Sequence, residues 1–202
     1  MGEEWDAHAE TWDEGGPVVY ADAAAASLRR QAKAFALPLA GARLLDFGCG
    51  TGLLCERLSG EADHVVALDP SAAMLAHLRS KVGAGLARVE PIEGYLDATT
   101  LDTNAFAEPF DLIVASSVCA FLDDYPGTLA RLSSLLRPGG AFVQWDWEWR
   151  AEDEEPFGLS REAVTEALGR AGLEILLVDR GFDVPFGEMM MSPLMGIGRK
   201  VA

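Results

Sequence analysis

The chain is 202 residues long, half of them hydrophobic, and carries 32 acidic against 16 basic residues, for a formal charge of −16. That length suits one domain with a sizeable core. The charge excludes the basic face that nucleic acid or an anionic membrane requires, and no apolar run is long enough to span a bilayer. The first residues are acidic, with no apolar leader, and the three cysteines (Cys49, Cys55, Cys119) form no Cys-x-x-Cys pair. This predicts a reduced, cytoplasmic protein without a metal site.

In chain order, residues 1–20 form an acidic, aromatic arm with Trp5, His8, Trp12 and Tyr20. Residues 21–37 have helix composition, ended by Pro38 and Gly41. A strand over 42–47 runs into glycines, and a helix follows over 51–58. A second apolar strand, 64–69, ends in Asp69, and the helix after it breaks at Gly83–Gly85. A third strand covers 86–92 and a fourth covers 110–117. Asp123 and Asp124 read as caps for a helix whose face is Leu129, Leu132, Leu135 and Leu136. Arg137-Pro138-Gly139-Gly140 reads as a helix stop and turn before a fifth strand over 141–149. Glu152–Glu155 reads as a solvated acidic loop, 160–170 as a helix and 173–182 as a sixth strand. A loop over 183–191 with three methionines precedes a last strand, 195–201. Strands alternating with helices predict an α/β fold with a doubly wound, mainly parallel sheet.

The candidate site follows from that alternation. Gly48, Gly50 and Gly52 make Gly-x-Gly-x-Gly between a strand and a helix, a turn that lets backbone approach a ligand closely. The dinucleotide fingerprint needs a glycine at position 53, where Leu53 stands. Asp46 precedes the loop, and a carboxylate there suits an ammonium group better than a pyrophosphate. Asp69 lies 21 residues after Gly48 at the tip of the second strand. Its two oxygens match a ribose diol, and Ser71 beyond Pro70 can cap the next helix. Met74 serves the core or brings its sulfur to an adenine. Asp46, the glycine loop, Asp69 and Ser116 all fall at the carboxyl ends of strands, where such sheets bind ligands. On the fifth strand, alternation puts Val143, Trp145, Trp147 and Trp149 on one face. These tryptophans line an apolar substrate pocket, cover a helix or close a dimer interface. Cys119 has no basic neighbour and reads as a buried thiol. His64 and His77 receive no role.

Leu44-Leu45-Asp46-Phe47-Gly48-Cys49-Gly50-Thr51-Gly52 resembles motif I of the class I S-adenosylmethionine-dependent methyltransferases. Phe110–Ser117 resembles the strand that faces the methyl group, and Leu136-Arg137-Pro138-Gly139-Gly140 resembles the family's Leu-x-Pro-Gly-Gly signature. The stretch Glu4–Asp13 is similar to the lid arm of small-molecule enzymes like those of quinone biosynthesis. The resemblance covers residues 5–150 well and the last third loosely.

It implies a Rossmann-like sheet of seven strands with the last antiparallel and helices on both faces, and a division into an arm and lid helix, 1–38, and a cofactor-binding domain, 39–202. It implies methyl transfer from S-adenosylmethionine, leaving S-adenosylhomocysteine, to an O, N or C atom of a small molecule, by a monomer or homodimer. The cofactor set is Tyr20, Asp46, Gly48, Cys49, Gly50, Gly52, Asp69, Pro70, Met74, Gly94, Tyr95, Ser116 and Ser117. Tyr95 stands where the family usually has an acid, so it stacks on the adenine or Glu93 substitutes. Trp12, Trp145 and Trp147 are the substrate candidates, and His8 is a surface residue or, if the arm closes, a base. The rival readings are a nicotinamide-dependent oxidoreductase and a non-catalytic protein that binds S-adenosylmethionine.

Overall fold

The computed structural model describes residues 2–149, 157–186 and 189–201. The acidic stretch Glu152–Glu155 therefore lies outside the described residues. Seven strands form one sheet: β1 (Arg43–Phe47), β2 (His64–Asp69), β3 (Val89–Glu93), β4 (Phe110–Ser116), β5 (Leu136–Asp146), β6 (Leu173–Arg180) and β9 (Leu194–Lys200). Their order is β3-β2-β1-β4-β5-β9-β6. β9 runs antiparallel to both its neighbours, and the remaining pairings are parallel. This is the seven-stranded, doubly wound sheet expected, with its topological switch between β1 and β4.

The period-2 alternation of the central strands sorts side chains onto the two faces. Leu44, Val65, Ala67, Leu112, Val114, Val143 and Trp145 share one core with Ala24, Ala25 and Leu28 of α2 (Gly16–Phe35) and Leu75 and Leu78 of α4 (Ala72–Gly83). Leu45, Val66, Leu68, Ile113, Ala115 and Phe142 share the other with Leu129 and Leu132 of α6 (Tyr125–Leu135) and Val164 and Leu168 of α7 (Arg161–Arg170). Near-continuous apolar strands are what a sheet covered on both faces demands. Two further helices matter to the site: α1 (Gly2–Asp6) in the arm and α3 (Leu53–Leu58) after the glycine loop.

Three local readings are corrected. α2 starts at Gly16, five residues before the expected start, because Pro17 suits the first helical turn, where its missing N–H is no loss. Arg137–Gly140 is not a free turn: the chain passes from α6 directly into β5 at Leu136, with a register irregularity opposite Phe110–Leu112. Residue 140 is packed among the carbonyls of Phe110, Asp111 and Arg137, so only a glycine lets the strands close there. The stretch 183–191 is not a plain loop either, since β7 (Val184–Phe186) pairs antiparallel with β8 (Met189–Met191) as a ribbon.

Helix caps follow the sequence closely. Ser71 accepts from the Met74 amide at 3.1 Å, Asp124 from the Gly127 amide at 2.9 Å and Ser160 from the Ala163 amide at 3.1 Å.

Candidate functional site

A cavity of about 440 Å³ opens at the carboxyl ends of β1, β2 and β4, where the order of the sheet reverses. The glycine loop forms part of its wall. Gly48 and Gly50 have φ of +73° and +54°, a backbone region that other residues resist. At Gly48 an added Cβ would also stand 2.6 Å from Val118, so the turn and the loop after β4 can meet only without a side chain.

Two carboxylates face this space. Asp69 is stitched to the loop: its oxygens accept the Gly50 and Ser71 amides, each at 2.8 Å. Each oxygen keeps a lone pair for a further donor. Burial raises the Asp69 carboxyl, and those two amides partly offset the rise. Asp46 is fully buried at the end of β1 and accepts the Cys55 thiol at 3.1 Å. Burial without a cationic partner pushes it up to about 7. Among the described residues, the cavity wall holds no lysine, arginine, histidine or glutamate.

Of the residues expected at a cofactor, Tyr20, Asp46, Gly48, Cys49, Gly50, Asp69, Pro70, Met74, Gly94, Tyr95, Ser116 and Ser117 all line the cavity. Tyr95 sits at the mouth, half exposed. Gly52 does not line it. That residue is the left-handed N-cap of α3, and an added Cβ would meet Leu78 Cδ1 at 2.4 Å, so its smallness serves helix packing. Trp12 and Trp147 line the wall, but Trp145 does not. β5 ends at Asp146, so Trp145 keeps the core side beneath α2 while Trp147 emerges beyond the strand. His8 is not brought to the cavity: it is exposed, lies outside the cavity wall and leans on Trp5 with ring centroids 6.0 Å apart, as the surface reading expects.

Several wall residues escaped the sequence reading. Trp5 packs edge-on to Phe121 at 5.1 Å and to Trp12 at 5.7 Å, forming an aromatic roof. Val184 and Pro185 come from the β7–β8 ribbon. Apart from Trp5–Trp12, which lie in one arm, these contacts join segments far apart in sequence, so no local pattern marks them. The arm is fastened at two points. Asp6 accepts the Ser71 hydroxyl at 2.6 Å and the Ala73 amide at 3.3 Å, on the positive end of α4. Asp13 accepts the Thr51 hydroxyl and pairs with Lys81 at 2.8 Å.

Beneath the wall lies a buried polar group. Asp146 accepts the Ala120 amide and Gln144 Nε2, both at 3.1 Å, and Tyr125 donates to Gln144 Oε1 at 2.6 Å. Burial pushes Asp146 up to about 7. The Tyr20 hydroxyl, raised well above its usual range by burial, donates to the Trp145 carbonyl at 3.4 Å. Cys49, Cys55 and Cys119 are free, buried thiols, raised by desolvation and so unreactive. Among the described residues, no group of His, Cys, Asp and Glu could hold a metal, and no helix is long and apolar enough to cross a membrane.

A family described as a methyltransferase domain matches residues 20–178. The chain is 34% identical over 122 residues to a ubiquinone biosynthesis O-methyltransferase of Bradyrhizobium sp. (strain ORS 278), covering 60% of this chain and 46% of that one. It is 31% identical over 172 residues to a malonyl-[acyl-carrier protein] O-methyltransferase of Enterobacter lignolyticus (strain SCF1), covering 78% of this chain and 64% of that one. The chain thus spans about half the length of the first of these curated relatives. Among solved structures, the DhpI–SAH complex superposes with a TM-score of 0.71 at 26% identity, covering 98% of this chain and 94% of that one. Seven strands in this order, a glycine turn between two strand-end carboxylates and a family match across most of the chain agree: it belongs to the class I S-adenosylmethionine-dependent methyltransferases.

Proposed function

We propose that this chain transfers a methyl group from S-adenosylmethionine to a small-molecule acceptor. The observation that carries this reading is the wall itself, with two strand-end carboxylates, a glycine cradle and no described cation. S-adenosylmethionine presents an ammonium, a sulfonium and a ribose diol, all of which suit carboxylates and oxygen acceptors. A dinucleotide would bring a pyrophosphate to the same acids and be repelled, which disfavours the nicotinamide reading. A cavity of about 440 Å³ also falls in the usual range for such ligands.

In this reading Asp46 and the Gly48–Gly50 backbone hold the amino-acid end, and Asp69 holds the ribose. Met74, Gly94 and Tyr95 border the adenine, while Tyr20, Ser116 and Ser117 border the sulfur. When bound, the cofactor supplies an electrophilic methyl for in-line displacement. The chain's part is to position the acceptor and exclude water. Tyr20 keeps its proton at neutral pH and so acts as a donor and a wall. Trp12 and Trp147 contact the acceptor, with Trp5 and Phe121 closing above it. The arm and lid helix, 1–38, serve as the lid over the cofactor-binding domain, 39–202. Three buried free thiols suit the cytoplasmic setting read from the sequence.

The test is incubation with methyl-labelled S-adenosylmethionine and an extract of small metabolites. Label should move to a small molecule with the wild-type protein and not with Asp69→Ala. Tight cofactor binding with no label moved to any metabolite would favour the non-catalytic binder.

A further inference from the structure

The charge balance of the cavity constrains the acceptor. Its upper wall is aromatic: Trp5, Trp12, Tyr20, Phe121 and Trp147. Tyr20 and Trp147 meet edge-on with centroids 5.6 Å apart, as Trp5 and Phe121 do at 5.1 Å. No described lysine, arginine, histidine or glutamate reaches the wall, and the only carboxylates among its described residues, Asp46 and Asp69, are assigned above to the donor. The Tyr20 hydroxyl stays protonated. Among the described residues, the wall therefore offers no side chain to take a proton from an acceptor hydroxyl. Nor do the described residues of the wall offer a cation to hold a phenolate, carboxylate or phosphate. Aromatic faces do the reverse, since their negative quadrupole attracts a cation, most strongly once it is desolvated. The formal charge of −16 adds a long-range field of the same preference.

Resting on the methyl-transfer reading, we propose that the acceptor atom is a weakly basic nitrogen that carries no hydrogen, a heteroaromatic ring nitrogen or a tertiary aromatic amine, uncharged at neutral pH. Its methylated product is a cation held by the aromatic wall. The nitrogen lone pair forms the new C–N bond as the carbon–sulfur bond breaks, and that pair stays on sulfur as a neutral thioether. The positive charge passes from sulfur to nitrogen. No proton need leave before the bond forms, so no base is required. Such a nitrogen has no proton to lose, so the product keeps the charge. The total charge inside the wall is the same before and after the transfer, so the two carboxylates see no change.

The probe is 1-methylquinolinium, a product-like cation, titrated calorimetrically into the full chain saturated with S-adenosylhomocysteine. The comparators are 2-naphthol, a neutral oxygen compound of similar size, and 2-naphthoate, an anion. The cation should bind at least tenfold more tightly than 2-naphthol, and 2-naphthoate should not bind measurably. Trp147→Leu should weaken the cation at least fivefold and leave affinity for S-adenosylhomocysteine within twofold, which also reports that the variant is folded. Phe121→Leu is the second variant, with the same expectation. Normal binding of S-adenosylhomocysteine with naphthol or naphthoate equal to the cation would overturn the nitrogen acceptor alone. Failure to bind S-adenosylhomocysteine would overturn the methyl-transfer reading beneath it.

Discussion

The Asp69 carboxylate accepts the backbone amide of Gly50 at 2.8 Å, so the acid that ends β2 also fixes the turn that leaves β1. One side chain thus couples the shape of the cradle to an acceptor for the ligand. Asp69→Ala leaves the Gly50 and Ser71 amides without their partner, and should lower stability by about 1–3 kcal/mol. Affinity for S-adenosylmethionine should fall by more than about tenfold, since a hydrogen bond to a charged group contributes roughly 1.5–3 kcal/mol. Urea unfolding and calorimetry of the same preparation check the two losses separately.

Gly52 is a structural glycine. Its φ of +82° and the 2.4 Å approach of Leu78 to an added Cβ predict that Gly52→Ala costs about 1–3 kcal/mol. The drop in the urea midpoint should come without a change in slope. Leu78→Ala in the same background should recover part of the loss attributable to the clash, measured as a coupling energy in a double-mutant cycle.

The buried acids set a pH dependence with a definite sign. Asp46 and Asp146 both rise from 3.8 to about 7 in the folded protein because burial disfavours their charged forms. Between those values the folded state binds more protons than the unfolded one. Their contribution to stability is therefore full below about pH 4 and is lost as pH rises through about 7. Asp46→Asn should flatten that loss and make the ligand-free protein more stable at pH 7.5, by on the order of 1–3 kcal/mol. The same change should weaken S-adenosylmethionine, because the amide cannot balance an ammonium. Urea midpoints at pH 5 and 7.5, with and without ligand, read both effects.

The arm should open when its fastenings are removed. Asp6 caps α4 through Ser71 and Ala73, and Asp13 pairs with Lys81. Asp6→Ala with Asp13→Ala should speed hydrogen exchange over residues 2–15 and leave the β1 and β4 amides protected. If exchange in the arm does not change, the aromatic packing of Trp5 on Phe121 holds it alone.

Much of the cradle was legible because its parts lie close along the chain. Asp46, Gly48 and Gly50 belong to one strand–turn unit, and Asp69 ends the next strand, so spacing alone brings them together. The alternation of apolar residues in β1, β2 and β4 likewise determines both cores. The tryptophan run shows where that logic stops. Alternation assigns Trp145 and Trp147 to one face, but the strand ends at Asp146, and only Trp147 reaches the cavity. Phe121, Val184 and Pro185 reach it through long-range packing that no local period encodes. The β7–β8 ribbon escaped for the same reason, since three-residue strands leave too few alternations to read.

The most direct test of the account is calorimetric titration of the wild-type chain with S-adenosylmethionine, S-adenosylhomocysteine and NAD at pH 7.5. The account predicts one site per chain for each sulfur compound, no measurable heat with NAD, and weakening of both sulfur ligands by more than about tenfold in Asp69→Ala. Saturable binding of NAD, with neither sulfur compound bound, would contradict it.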